Sequence, residues 1–148
     1  MKKAYIIDEE VLFSDLLGEI LGDINLDPAQ IWDASSALDI FTHTPPNIDD
    51  IFFVDVGLDI GFNHRDFDKI VTSASNTTGL RLVELIIERK ILVREQLNRL
   101  TLYSSHITGP TWEKVLVFSK QHKIRAFKKN PLFKANDYHK IARELLRA

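Results

Sequence analysis

Ile51-Phe52-Phe53-Val54-Asp55-Val56-Gly57 is the stretch whose reading decides the fold. Four consecutive apolar residues, preceded by the loop Asn47 to Asp50, predict a strand buried on both faces, as in a parallel sheet covered by helices. Asp55 stands at its exit, and Gly57 follows within two residues. The aspartate therefore belongs at the carboxyl edge of a sheet, where open α/β sheets bind their ligands.

Working outward, Lys3 to Ile7 is a short apolar stretch suited to a central strand, and it runs into Asp8-Glu9-Glu10. Val11 to Gly22 carries Phe13, Leu16, Leu17, Ile20 and Leu21 at helical spacing, with Gly22 as a stop. Asn25 to Pro28 reads as loop and Gln30 to Trp32 as a second strand. Ser35 or Ser36 is a candidate cap for a helix carrying Ala37, Leu38, Ile40 and Phe41, which Pro45-Pro46 terminates. After the opening stretch, Gly57 to Thr78 breaks the rhythm as a long loop with one helical turn near Phe67 to Val71. Such connections usually run about 2–6 residues, so this one is an insertion.

Leu80 to Lys90 resumes helical periodicity. Leu100 to Tyr103 is a fourth strand ending in Ser104-Ser105. Thr108-Gly109-Pro110 opens a helix with Trp112, Val115, Leu116 and Ser119 on one side, proline being tolerated in a first turn. Ile124 to Phe127 is a fifth strand stopped by Asn130-Pro131, and Asp137 to Arg147 is a closing helix with Tyr138, Ile141, Ala142 and Leu145 on one stripe. Strands alternating with helices predict a doubly wound parallel α/β sheet, and five such units predict the flavodoxin-like order 2-1-3-4-5.

The 148 residues, 45% of them hydrophobic, suit one domain spanning residues 1–148. The absence of cysteine excludes disulfides and thiolate catalysis. The five histidines show no spacing that makes a zinc site. The apolar run after Met1-Lys2-Lys3 stops at Asp8, too early for a signal sequence, and no stretch reaches the ~20 apolar residues of a membrane span. A cytoplasmic protein with no membrane association is expected. The net charge of −2 argues against general nucleic-acid binding. Charge is unevenly placed: ten basic residues between Lys114 and Arg147 face only Asp137 and Glu144, either as solvated helix faces or as a docking surface for an acidic partner.

In the order 2-1-3-4-5 the first and third strands are neighbours, so Asp8, Glu9 and Asp55 converge. Carboxylates within ~6 Å repel by roughly 3 kcal/mol per pair at an effective dielectric near 20. A hard divalent cation relieves this, and Mg²⁺ typically takes one or two carboxylates and a phosphate oxygen. Protonation of one carboxylate is the alternative.

The chain resembles, over essentially its whole length, the receiver domain of bacterial two-component response regulators, the CheY-like fold. The matching residues are Ile7-Asp8-Glu9-Glu10, Phe53-Val54-Asp55, Leu102-Tyr103-Ser104-Ser105 and Ala126-Phe127 followed by Asn130-Pro131. The resemblance implies a stand-alone response regulator in a phosphorelay, with no enzymatic turnover of a small molecule. It implies that Asp55 is the phosphoacceptor, taking a phosphoryl group from a histidine kinase or phosphotransfer protein. Glu9, Asp55 and the Gly57 carbonyl would hold Mg²⁺, with Asp8 acting directly or through water. Ser104 would donate to the phosphoryl oxygen, and Phe127 would turn inward as the switch. The surface of the fourth helix, fifth strand and fifth helix would then serve a downstream protein target or a homodimer.

Two features depart from that family. The family's strand-five lysine falls on Asn130, and Lys129 can replace it only if the strand end bulges or twists, because successive strand residues face opposite ways. The insertion after Gly57 is either a lid, with His64, Arg65 and Lys69 supplying the cation, or a tolerated surface loop. Both features motivate the alternative of a degenerate receiver that binds partners without phosphorylation. A flavin site is disfavoured because Asp8-Glu9-Glu10 would repel its phosphate. A phosphatase of the haloacid dehalogenase type is disfavoured because no Asp-x-Asp follows a strand.

Overall fold

The computed structural model describes residues 1–68, 77–105, 109–129 and 132–148. Strands β1 (Lys3–Ile7), β2 (Asp27–Ile31), β3 (Ile51–Asp55), β4 (Leu100–Ser104) and β5 (Arg125–Lys128) form one parallel sheet in the order β2-β1-β3-β4-β5. The helices are α1 (Val11–Gly22), α2 (Ala34–His43), α3 (Thr78–Glu88), α4 (Arg94–Leu97), α5 (Gly109–His122) and α6 (Ala135–Leu146). The doubly wound architecture and strand order expected from the sequence are those observed. Among the described residues, no helix is long and apolar enough to cross a membrane.

Two-residue alternation along the strands divides the core into two layers. Ala4, Ile6, Ile51, Phe53 and Tyr103 pack with Leu17, Ile20 and Leu21 of α1 and with Tyr138, Ala142 and Leu145 of α6. The intervening residues Tyr5, Ile7, Phe52, Val54, Leu100 and Leu102 pack against α2, α3 and α5. On that second face Tyr5 stacks on Phe52 with centroids 5.3 Å apart, and Phe41 meets both rings edge-on.

Several boundaries differ from the sequence reading for identifiable reasons. β2 begins at Asp27 and includes Pro28, which a strand at the sheet edge tolerates because one side of it needs no ladder donor. Asp33, not Ser35 or Ser36, caps α2, its carboxylate accepting from the Ser36 N–H at 2.7 Å and the Ser36 hydroxyl at 3.0 Å. Leu16 of α1 and Leu116 of α5 lie on exposed faces; on α5 the buried positions are Val115 and Phe118. The short helix α4, absent from the sequence reading, is closed by Gln96, which accepts from the Val93 N–H at 3.0 Å and donates to Pro46 O at 3.1 Å. β4 extends to Ser104, β5 is shifted to end at Lys128, and α6 starts two residues earlier, at Ala135.

The insertion packs closely over residues 58–68. Leu58, Ile60 and Phe67 are buried in the layer shared with α2 and α3. Ala34 N–H and Ser35 N–H donate to Asp59 O and Ile60 O at 2.9 and 3.0 Å. Gly61 has φ +79°, and a Cβ there would stand 2.3 Å from Asp33 Oδ1, so a glycine is required beside the cap of α2. Asp66 is tied to Arg89 at 2.7 Å and, through its carbonyl, to Arg81 at 3.1 Å. A single turn closes at Phe67, whose N–H donates to Asn63 O at 3.2 Å; most of the turn expected near Phe67 to Val71 falls in 69–76, outside the described residues.

α3 is docked directly onto the end of β3. The Gly79 N–H donates to Val56 O at 2.9 Å, and a Cβ on Gly79 would fall 2.1 Å from Asp55 O. Only glycine permits that approach of helix to strand. A Gly79→Ala variant is expected to lose about 3 kcal/mol of stability, measured by urea unfolding, and to shift the amide resonances of Asp55 and Val56.

Candidate functional site

β1 and β3 are neighbours, with Ile7 opposite Val54, so Asp8 and Asp55 leave the sheet side by side at its carboxyl edge. By alternation both share the face of Ile6 and Phe53, the side covered by α1 and α6. Asp8 is fully buried and Asp55 is half-buried. Their negative charges act on each other directly. Burial and the charge of Asp8 push the Asp55 carboxyl up to about 8, with the Gly57 N–H and Lys129 pulling the other way. The Asp55 carboxyl therefore tends to hold its proton near neutral pH.

Each oxygen has a further partner. Asp8 Oδ1 accepts from the Glu10 N–H at 2.8 Å, and Asp8 Oδ2 accepts from the Tyr103 hydroxyl at 2.7 Å. Asp55 Oδ1 accepts from the Gly57 N–H at 3.2 Å. Burial, and then the negative charges of Asp8 and Asp55, hold the Tyr103 hydroxyl well above the usual phenol range, so it stays protonated and donates. Register explains why it reaches the site: Tyr103 lies opposite Asp55 and shares its face.

Lys129 supplies the cation. β5 ends at Lys128, and the Lys129 N–H still donates to Ser104 O at 2.8 Å. Two residues beyond Phe127, Lys129 shares the face of Phe127 and Tyr103 without any bulge. Its ammonium donates to the Glu10 carboxylate, sits 3.9 Å from Asp8 Oδ2 and lies 3.7 Å from the centroid of the Phe13 ring. Asn130 and Pro131 lie outside the described residues.

Glu9 stands at the rim, its carboxyl raised by partial burial, then by Asp59, then by Asp8 and Glu10. Ser104 is buried at the end of β4, on the opposite side of the pleat from Tyr103. Phe127 is partly buried, stacked 5.6 Å from Tyr103 and 6.1 Å from Phe133. His64 and Arg65 are exposed on the insertion, and Lys69 lies outside the described residues. Tyr103, Phe13 and Asp59 are contributors that the sequence reading missed, and Glu10, read there as part of the acidic cluster, is the partner of Lys129. Counting in twos from the paired strand ends would have found Tyr103.

As a cation site, the pair offers two hard carboxylate donors at one edge of the sheet. That suits Mg²⁺ bound by Asp8 and Asp55. A larger ligand set is not assembled: among the described residues, no group of three or more His, Cys, Asp or Glu side chains is arranged to hold a metal ion.

No family model and no curated protein matches the sequence. Solved structures do match in fold. The receiver domain of NtrX from Brucella abortus is similar at 20% identity with a TM-score of 0.65, covering 98% of each chain. A CheY-like response regulator receiver domain from Methanospirillum hungatei is similar at 14% identity and a TM-score of 0.68, covering 99% of this chain and 94% of that one. The chemotaxis protein CheY4 of Vibrio cholerae is similar at 13% identity and a TM-score of 0.67, covering 98% of each. Against a longer NtrX chain, this one spans 27% of the length. The class defined is a flavodoxin-like, CheY-like α/β fold. Its particular form here carries a buried aspartate pair served by a tyrosine and a lysine.

The raised Asp55 carboxyl has a definite consequence for stability. A carboxyl whose value is raised by folding, from about 3.8 to about 8, favours the fold fully below the lower value and loses that contribution as pH rises through the upper. The unfolding free energy of wild type minus that of Asp55→Asn is therefore expected to fall by on the order of 5 kcal/mol between pH 4 and pH 8 without added metal. Urea titrations at several pH values check this, and a flat difference would contradict the raised Asp55 carboxyl.

Proposed function

We propose that this chain is a receiver-type phosphorylation switch in which Asp55 is the phosphoacceptor. The observation that carries the reading is the Asp8–Asp55 pair at the β1/β3 switch point, with Lys129 as the adjacent cation. The fold likeness to response regulator receivers supports it. In the reaction, an Asp55 carboxylate oxygen attacks the phosphorus of a phosphohistidine on a histidine kinase or phosphotransfer protein. The P–N bond breaks, the imidazole departs and takes up a proton, and Asp55 becomes an acyl phosphate. Positioning and charge neutralisation are most of what such a transfer requires from the protein.

In this reading Asp8 and Asp55 would hold Mg²⁺, with Glu9 and the Gly57 carbonyl as the further ligands that the receiver resemblance implies, and the metal would offset charge on the transferring phosphoryl oxygens. The Glu10 N–H and the Tyr103 hydroxyl each donate to one oxygen of Asp8 and hold its carboxylate in place. Lys129 moves from Glu10 to the phosphoryl group and fills the role that Asn130 cannot. Ser104 receives a phosphoryl oxygen from the other side of the pleat. Phe127, already stacked on Tyr103, changes its packing in response, and the face of α5, β5 and α6 presents that change to a protein target or a second copy. No small molecule is turned over.

A second reading is favoured by one feature: both Asp8 oxygens already have donors and Lys129 lies close by, so the acid pair is neutralised internally. In that case the chain is a degenerate receiver that docks to its partner without phosphorylation. Intact mass after incubation with acetyl phosphate and Mg²⁺ separates the two. One added phosphoryl group in wild type and none in Asp55→Asn is expected; none in either favours the degenerate form. Lys129→Met is expected to slow uptake at least about tenfold, the loss of one charge-assisted contact.

A further inference from the structure

Among the described residues Tyr103 is the largest fully buried side chain, and its hydroxyl donates to one oxygen of the acid pair. Its ring is fixed by Phe13, 5.5 Å away, and by Phe127, 5.6 Å away and 25° from parallel. The hydroxyl therefore has one direction in which to point. It meets Asp8 Oδ2 at 2.7 Å while the Glu10 N–H holds Oδ1 at 2.8 Å, so the Asp8 carboxylate is pinned at both oxygens. The Lys129 ammonium waits 3.9 Å from the same Oδ2, diverted toward Glu10 and over the Phe13 ring.

We propose that Tyr103 is a positioning residue for cation binding: by donating to Asp8 Oδ2 it holds that carboxylate facing Asp55 and keeps it from closing onto the Lys129 ammonium. The proposal rests on the cation reading given above. Without the hydroxyl, a buried carboxylate oxygen loses its donor, and the nearest replacement is Lys129. An ammonium seated on Asp8 occupies the place a divalent cation needs. A tyrosine in this position thus makes the neighbouring lysine compatible with a cation site.

The test is a Mg²⁺ titration followed by amide shifts of Asp8, Glu9 and Asp55. It uses wild type, Tyr103→Phe, and replacement of Tyr103 by para-aminophenylalanine, which keeps the ring and a donor. Lys129→Met is added to the wild-type and Tyr103→Phe chains. Tyr103→Phe is expected to weaken binding about tenfold, the lower end of what loss of an outer partner does to a metal site. The para-amino variant is expected to stay within about threefold of wild type. Lys129→Met should improve binding about tenfold more in the Tyr103→Phe chain than in wild type, because the lysine competes directly only when the hydroxyl is gone.

Unchanged binding in a folded Tyr103→Phe protein would overturn the proposal and leave the cation reading intact. Equal effects of Lys129→Met in the two backgrounds would do the same. If Tyr103→Phe does not fold, the para-amino variant decides: retained binding supports the proposal and lost binding overturns it. No shift in wild type at millimolar Mg²⁺ would overturn the cation reading and this proposal with it.

Discussion

Two buried carboxyl groups face each other across neighbouring strands, and the rest of the site is arranged around the cost of that contact. At an effective dielectric near 20, two such charges within ~4 Å would repel by about 4 kcal/mol. The fold meets this cost with a raised Asp55 carboxyl, two backbone N–H groups, one phenolic hydroxyl and one ammonium. None of these is a rigid, full neutralisation. Further positive charge placed at the pair would lower that cost.

The pleat decides which side chains take part. Asp8, Asp55, Tyr103, Phe127 and Lys129 all sit on the α1/α6 side of the sheet, while Ser104 points from the other side. Moving a function by one residue along a strand moves it to the other layer of the protein. The cation on Lys129 and the hydroxyl on Tyr103 are each displaced by one place from where the receiver resemblance puts them. They are displaced together, and they land on the same face, where they meet Asp8. The ring of Tyr103 also continues into Phe127, Phe133 and Tyr138, so the acid pair is in van der Waals continuity with α6.

The insertion is built into the opposite layer. Over residues 58–68 it buries Leu58, Ile60 and Phe67, pairs its backbone with the start of α2 and ties Asp66 to α3 through Arg81 and Arg89. It lengthens the core beneath the edge of the sheet. Asp59 brings it to the rim beside Glu9, which gives the insertion an electrostatic contact with the site.

The sequence by itself determined the architecture. Its apolar runs and helical stripes are strong periodic signals, and connection rules leave one reasonable strand order for five βα units, so Asp8 and Asp55 could be paired before any coordinate was known. The start of α3 was legible to within two residues, at Leu80, although the closeness of Gly79 to Asp55 O was not. Only the tertiary structure decided which neighbours reach the acid pair. A strand tyrosine reads as core, a capping aspartate such as Asp33 looks like any loop carboxylate, and a lysine beyond a strand end has no fixed direction in the sequence. Their roles depend on register and on which layer a side chain enters, and those are set by contacts between residues about a hundred positions apart, such as Tyr103 with Asp8 at a separation of 95.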